Sequence, residues 1–277
     1  MLGSIIGDIA GSFREFKGPF KNPELGLLPD KKDIAKIAME NNYGITDDTV
    51  LTLATFNACF QLKKYPVCGY RKDDYFAYYY KEYANKYDTV IGGYGSRFKK
   101  WAMSKNDCPY NSCGNGSAMR VSPVAYVAES LAEVLELAFY SAIPTHNHPE
   151  GIRGAQSTAV MIYLALNEWS LNDIIDELKT MYLYYEPIEQ YNHFDSICQE
   201  TMRLVMHCLI TTDNFHDAVF KAVTIPYADS DTLGAIVGSI AEALYGIPDD
   251  IKEYAESFIM PNELTYGYLE FKRVYRK

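Results

Sequence analysis

Two short stretches of this chain concentrate oxygen donors. The first is Thr46-Asp47-Asp48-Thr49, directly before the apolar run VLTLATFNACF. Two adjacent carboxylates with flanking hydroxyls form a hard oxygen site suited to Mg²⁺ or Mn²⁺. Taken alone it reads as a helix start, because Thr46 suits an N-cap and first-turn carboxylates interact well with the macrodipole. The second is Asp229-Ser230-Asp231-Thr232, directly before LGAIVGSIAEALYG. Here carboxylates alternate, again with a following hydroxyl and again at a helix start. Two such starts packed together pool four carboxylates and two hydroxyls, enough for two ions sharing a bridging Asp. The superficial match of the second stretch to the DxDx[TV] loop of haloacid-dehalogenase phosphatases is set aside. Its fifth residue is Leu233, no β-run leads in, and too little chain follows.

Two further stretches are weaker signals. In Asn111-Ser112-Cys113-Gly114-Asn115-Gly116-Ser117-Ala118-Met119-Arg120 the Gly, Asn and Ser content favours a turn whose backbone N–H groups cradle phosphate. It lacks the GxxxxGK[ST] of a Walker loop. Gly92-Gly93-Tyr94-Gly95-Ser96 is a second glycine-rich turn. Thr145-His146-Asn147-His148-Pro149-Glu150-Gly151 carries a His-x-His pair, but no third His or Cys has zinc spacing. A capping and ligand-facing role at the start of a helix over 150–167 fits it better.

The elements that must position these residues are helices. Residues 130–140 open with a capping pattern, Ser130 followed by Glu133, and 170–180 open similarly with Ser170 and Asp173. Residues 213–224 place Phe215, Ala218, Val219 and Ala222 on one helical face. A short helix is expected over 249–259, after Pro248. The one strand candidate is MYLYY at 181–185. Gly3, Gly7 and Gly11 recur every four residues, and Gly234, Gly238 and Glu242 share a face of the last long helix, which is expected to run from 232 and stop at Gly246. Glycine inside a helix costs about 1 kcal/mol relative to alanine, so these repeats imply close packing or a ligand. The expected fold is all-α, one compact multi-helix domain over 1–277.

Composition narrows the function classes. With 277 residues, 48% hydrophobic and 22% charged, the chain can bury a real core, and no low-complexity segment suggests disorder. The net charge of −10 comes from dispersed acids, which argues against broad contact with nucleic acid phosphates. It leaves room for one small anionic ligand, because bound ions reverse the local potential. The six cysteines, Cys59, Cys68, Cys108, Cys113, Cys198 and Cys208, form no CxxC pair and read as reduced thiols. Asp8 interrupts the apolar N-terminus, which has no basic leader region, and no run reaches the ~18 apolar residues of a membrane span. A cytoplasmic monomer is the expectation.

Taken together, the motifs resemble the ADP-ribosylglycohydrolase family. GDIAGSFRE at 7–15, TDDT at 46–49, GYGSRFKKW at 93–101, GNGSAMR at 114–120, THNHPEG at 145–151 and DSDT at 229–232 occur in the family's order over nearly the whole chain. The resemblance implies an α-helical fold with a binuclear Mg²⁺ or Mn²⁺ centre. Its ligands would be Thr46, Asp47, Asp48, Asp229, Asp231 and Thr232. ADP-ribose would bind with its distal ribose hydroxyls on the metals. Glu15 matches an acidic residue on a mobile loop of some relatives. Ser112, Gly114, Asn115, Gly116 and Ser117 match the loop around diphosphate and ribose, Gly93, Tyr94 and Gly95 line the same cleft, and His146 matches a substrate-side histidine. Two departures stand out. Tyr227-Ala228 replaces the Gly-Gly usual before the second metal motif, where bulk would narrow the cleft or shift Asp229. Cys113 replaces a tyrosine common before the GNG turn, leaving Tyr110 as a possible substitute for its aromatic contact.

The implied reaction is hydrolysis of the glycosidic bond between ADP-ribose and an acceptor, an arginine or serine side chain or a small molecule. Asp47 and Asp48 would share metal binding with activation of water, and Glu15 would assist the leaving group. The alternatives are a catalytically silent ADP-ribose-binding protein and a two-metal phosphoesterase acting on the diphosphate.

Overall fold

The computed structural model describes residues 1–15, 26–28, 45–65, 71–88, 90, 92–189, 192–257 and 262–275. The elements are α1 (Leu2–Glu15), α2 (Asp47–Lys64), α3 (Lys72–Lys86), α4 (Ser96–Ala102), α5 (Gly116–Met119), α6 (Ser122–Val127), α7 (Leu131–Ala142), α8 (Pro149–Leu166), α9 (Leu171–Thr180), α10 (Cys198–Ile210), α11 (Phe215–Thr224), α12 (Ser230–Tyr245), α13 (Asp249–Ser257) and α14 (Asn262–Tyr275). The fold is all-α. Among the described residues the strand-like pairing is a single antiparallel bridge, Gly114 with Ile197.

Helices α1, α2, α8 and α12 form the centre. Val50 to Phe56 of α2 and Leu233 to Ala241 of α12 are buried without a break, so neither helix keeps a solvent face over that stretch. Helix α1 lies against α12 over most of its length, and α2 packs on α1, α3, α6 and α14. The two glycine ladders meet. A Cβ built on Gly3, Gly7 or Gly11 would fall well inside 3.0 Å of the backbone at Gly238, Gly234 or Ser230 respectively. Glu242 completes that face by accepting the Gly3 N–H at 2.8 Å. The close approach brings Asp8 of α1 and the first turn of α12 alongside the start of α2.

Local chemistry sets the helix starts. Thr46, Ser130, Ser170 and Asn214 each accept a backbone N–H from the first turn that follows. The box at Ser130 is one-sided, because the Glu133 carboxylate reaches back to the Glu129 N–H instead. Helix α2 carries Asp47 and Asp48 in its first turn and Lys63 and Lys64 in its last, matching the macrodipole at both ends. Helix α12 begins at Ser230, two residues earlier than expected, and stops at Gly246, whose φ of 73° suits glycine.

The strand expected at 181–185 does not form. Tyr182 has φ 57°, the Leu183 and Tyr184 N–H groups fold back onto Leu178 O, and Arg153 donates to Tyr182 O and Tyr184 O. The segment closes off helix α9, and its carbonyls are satisfied by a side chain rather than by a neighbouring strand.

Candidate metal centre and ligand cleft

Asp8 organises the first acidic stretch. It is fully buried and accepts from the Thr46 N–H at 3.1 Å, the Thr46 hydroxyl at 2.9 Å, the Thr49 N–H at 3.1 Å and the Thr49 hydroxyl. The carboxylate thus holds the N-terminal turn of α2 from below. Burial pushes its carboxyl up to about 6, against the pull of those donors. Above it, Asp48 Oδ2 faces the hydroxyls of Thr46 at 3.2 Å and Thr232 at 3.3 Å, which joins the two acidic stretches directly.

Donors are scarce at this junction. The single Thr46 hydroxyl proton faces both Asp8 and Asp48, and Asp48 Oδ1 is buried with no hydrogen-bond partner. Burial, then the neighbouring Asp231, Asp8, Asp47 and Asp229, hold the Asp48 carboxyl well above the usual carboxylate range. Asp47 is pushed up to about 7 by burial and by Asp8 and Asp229. A surplus of buried carboxylate oxygen over donors is the signature of a place for cations. The donors are all oxygens, so the chemistry fits Mg²⁺ or Mn²⁺ rather than zinc. Among the described residues, no three His, Cys, Asp or Glu side chains already close on one point.

Asp47, Asp48, Asp229, Asp231 and Thr232 line the floor of a cleft of about 420 Å³. Its walls include Gly93 and Gly95, Ser112, Gly114, Asn115 and Gly116, His146, and four residues that sequence reasoning did not place there: Arg97, Arg120, Phe194 and Ser196. Tyr110, named only as a possible substitute, also lines it, with the Arg97 guanidinium 5.0 Å above its ring.

Two expected wall residues turn away. Ser117 is buried and donates to Gly151 O at 2.6 Å, so it anchors the turn rather than facing a ligand. Tyr94 is buried and its hydroxyl donates to Tyr87 O at 2.8 Å. Thr46 lies beneath the floor, at 1% exposure, and does not line the cavity. The Glu15 side chain is outside the described residues.

The GNG turn differs from a phosphate cradle. The Gly114 N–H is taken by Ser112 Oγ at 3.1 Å and the Asn115 N–H by Ser196 O at 2.8 Å. Asn115 instead reaches the metal side, where its amide donates to Asp229 Oδ2 at 2.9 Å. The THNHPEG stretch fixes the turn from behind. Asn147 accepts the Asn111 N–H at 2.7 Å, and Thr145 O accepts the Ser112 N–H at 3.3 Å. Capping of α8 falls to His148, which accepts the Glu150 N–H, while His146 is buried against the cleft.

The Tyr227-Ala228 departure leaves the cleft open. Tyr227 adopts φ 61°, a conformation glycine takes without strain, and its side chain is exposed and outside the cavity wall. Ala228 is buried, and its carbonyl accepts from Ser230 Oγ at 3.3 Å.

Comparison with known proteins agrees with this architecture. A solved structure described as an ADP-ribosylglycohydrolase-related protein complex matches 98% of this chain and 96% of that one, with a TM-score of 0.68 at 20% identity, which shows a shared fold. An ADP-ribosylarginine hydrolase of Pseudomonas putida is 26% identical over 53% of this chain and 42% of its own length. The ADP-ribosyl-[dinitrogen reductase] glycohydrolase of Rhodospirillum rubrum is 28% identical over 51% and 50%. An ADP-ribosylhydrolase of Gallus gallus is 26% identical over 64% and 52%. The chain spans about half the length of the curated relatives it matches. The family profile described as ADP-ribosylglycohydrolase matches residues 1–257, and the chain belongs to that family.

Proposed function

We propose that this chain hydrolyses the glycosidic bond between ADP-ribose and an acceptor, releasing ADP-ribose. The acceptor would be an arginine or serine side chain or a small ADP-ribosylated molecule. The carrying observation is the convergence of Asp47, Asp48, Asp229 and Asp231 on the floor of one cleft, joined through Asp48 and Thr232, with Asp48 Oδ1 buried and unpartnered. The relatives' names, which describe hydrolases of ADP-ribosylated targets, support this reading.

Two divalent ions, Mg²⁺ or Mn²⁺, would be held by Asp47, Asp48, Asp229, Asp231 and Thr232, with Thr46 beneath the floor reaching them only through its contact with Asp48. Bound there, they would fix a ribose diol and acidify a water. Asp8 holds the α2 turn in place, and Asn115 orients Asp229. Asp47, half-buried on the cleft floor, would take the proton of an attacking water. Glu15 would assist the leaving group. Arg97 at the rim supplies positive charge for a diphosphate, since the floor is acidic and the substrate anionic.

Phe194 is 60% exposed at the cleft wall, a ring face free for a base. Stacking of a base on an aromatic side chain contributes about 1–3 kcal/mol. Phe194→Ala is therefore expected to weaken ADP-ribose binding by about tenfold in calorimetry; an unchanged Kd would remove Phe194 from the ligand site.

No helix among the described residues is long and apolar enough to cross a membrane. We propose a cytoplasmic monomer with 1–277 as one domain; the continuous buried core supports the single domain, and free Cys59, Cys108, Cys113, Cys198 and Cys208 are in keeping with a reducing compartment. The functional test is mass spectrometry of products from ADP-ribosyl-arginine and ADP-ribosyl-serine peptides with Mg²⁺, Mn²⁺ or EDTA. Metal-dependent release of intact ADP-ribose is expected. Release of AMP would reassign the chain as a phosphoesterase, and ADP-ribose binding without release would make it a binding protein.

A further inference from the structure

Arg120, which closes the GNGSAMR stretch, is fully buried beside the cleft. Its guanidinium lies 3.9 Å above the Tyr80 ring and donates to Thr145 Oγ1 at 2.7 Å. Arginine has donors only, so the Thr145 oxygen must accept. The same oxygen lies 2.7 Å from His146 Nδ1. Thr145 also interacts with the Tyr110 hydroxyl, whose ring centroid is 6.2 Å from that of His146.

Two hydrogen-bond assignments are open to this group. In one, Arg120 donates to Thr145 through one guanidinium nitrogen, and the Thr145 proton goes to His146 Nδ1, so the lone pair of the imidazole nitrogen is used. In the other, His146 Nδ1–H donates to Thr145, whose proton must turn to the phenol oxygen. That gives the proton to a phenol oxygen, a weaker acceptor than an imidazole nitrogen. A neutral ring also suits its surroundings, because burial, and then Arg120 and Arg97, oppose a positive charge on it.

We propose that Thr145, held by Arg120, fixes His146 as the neutral tautomer with its proton on Nε2. Nε2 faces the GNG turn, 3.1 Å from a Cβ built on Gly116 and 3.5 Å from one built on Gly114, so the two glycines make room for the imidazole where it lines the cleft. His146 therefore meets the ligand as an N–H donor to a phosphate or hydroxyl oxygen and takes no part in proton transfer. Thr145 and Arg120 are positioning residues. The ligand half of this inference rests on the ADP-ribose reading; the tautomer half does not.

The test is a two-bond ¹H–¹⁵N correlation spectrum of histidine-labelled full-length protein at about pH 7, where an unperturbed histidine titrates and the environment decides its form. His146 is assigned by its loss in His146→Gln. The expected pattern is the Nε2–H tautomer. A proton on Nδ1, or an imidazolium, would overturn the proposal. Thr145→Val should shift the ring to a tautomer mixture and raise the Kd for ADP-ribose about tenfold, the loss of one oriented hydrogen bond. Thr145→Ser, which keeps the hydroxyl, should restore both; failure of Ser to restore the tautomer would also overturn it. No ADP-ribose binding in a wild-type protein that shows the expected tautomer would sink the functional reading and leave the tautomer standing.

Discussion

Asp48→Ala is expected to lower turnover by about 10³-fold or more, the several kcal/mol that bound ions contribute to charge stabilisation, while leaving the metal-free protein at least as stable as before. The second half follows from the surroundings of the carboxylate. Asp48 is 1% exposed, Oδ1 has no partner, and four further aspartates press on it. Removing a buried, poorly paired acceptor relieves a penalty that most core polar deletions do not. Thermal melts in EDTA should therefore show an unchanged or higher Tm, and melts in Mg²⁺ should show that the variant has lost most of the ion-induced gain. An unchanged rate would remove Asp48 from the reaction.

The same residues give that gain a pH dependence. Asp8 and Asp47 have carboxyls raised to about 6 and about 7, whereas an unfolded aspartate titrates near ~4. Between those values the metal-free fold keeps protons that the unfolded chain has released, so its stability falls as pH rises from about 4 to about 7. Ions compete with those protons, so stabilisation by Mg²⁺ should grow over the same window. A ΔTm that is flat or shrinks with rising pH would contradict the cluster as drawn.

Gly7→Ala is expected to destabilise the protein by about 3 kcal/mol or more, the upper part of the range for overpacking, equivalent to roughly 6–12 °C in Tm at this size. The new Cβ would collide with the Gly234 carbonyl, which is backbone and cannot rotate aside. Helices α1 and α12 must then part, and Asp8 is one residue along α1. The separation would loosen its hold on Thr46 and Thr49, so ion affinity should fall along with stability. Gly95→Ala is the control, because nothing lies within 4 Å of its Cβ; surface changes of that kind stay within about 0.5 kcal/mol. Equal Tm values for the two variants, read by calorimetry, would contradict the close helix contact.

The parts of this architecture that are local in sequence are legible in it. Helix starts at Thr46, Ser130 and Ser170 follow from hydroxyls that reach only two or three residues ahead. The glycine spacing at 3, 7 and 11 announces a stripped face, though only the structure shows that its partner is the other stripped face at 234 and 238. What was missed depends on distant contacts or on side-chain direction. Asp8 carried a signal, a lone carboxylate in an apolar stretch, but its partners lie 38 and 41 residues away. Ser117 and Tyr94 are of the right types in the right turns and point the wrong way, because one peptide's rotation decides which side of a turn faces the cleft. Phe194 sits in a loop without periodicity, and nothing in its neighbours distinguishes it from a surface aromatic. MYLYY has strand composition, but the left-handed Tyr182 and the Arg153 fork remove its chance to pair.

The most direct test of the central claim is anomalous diffraction from a crystal of the wild-type protein soaked in MnCl₂. Two manganese peaks are expected between the first turns of α2 and α12, within bonding distance of Asp48, Asp229 and Asp231 oxygens. Well-ordered carboxylates with no manganese peak beside them, or peaks only elsewhere on the surface, would contradict the metal centre and with it the proposed route to ADP-ribose release.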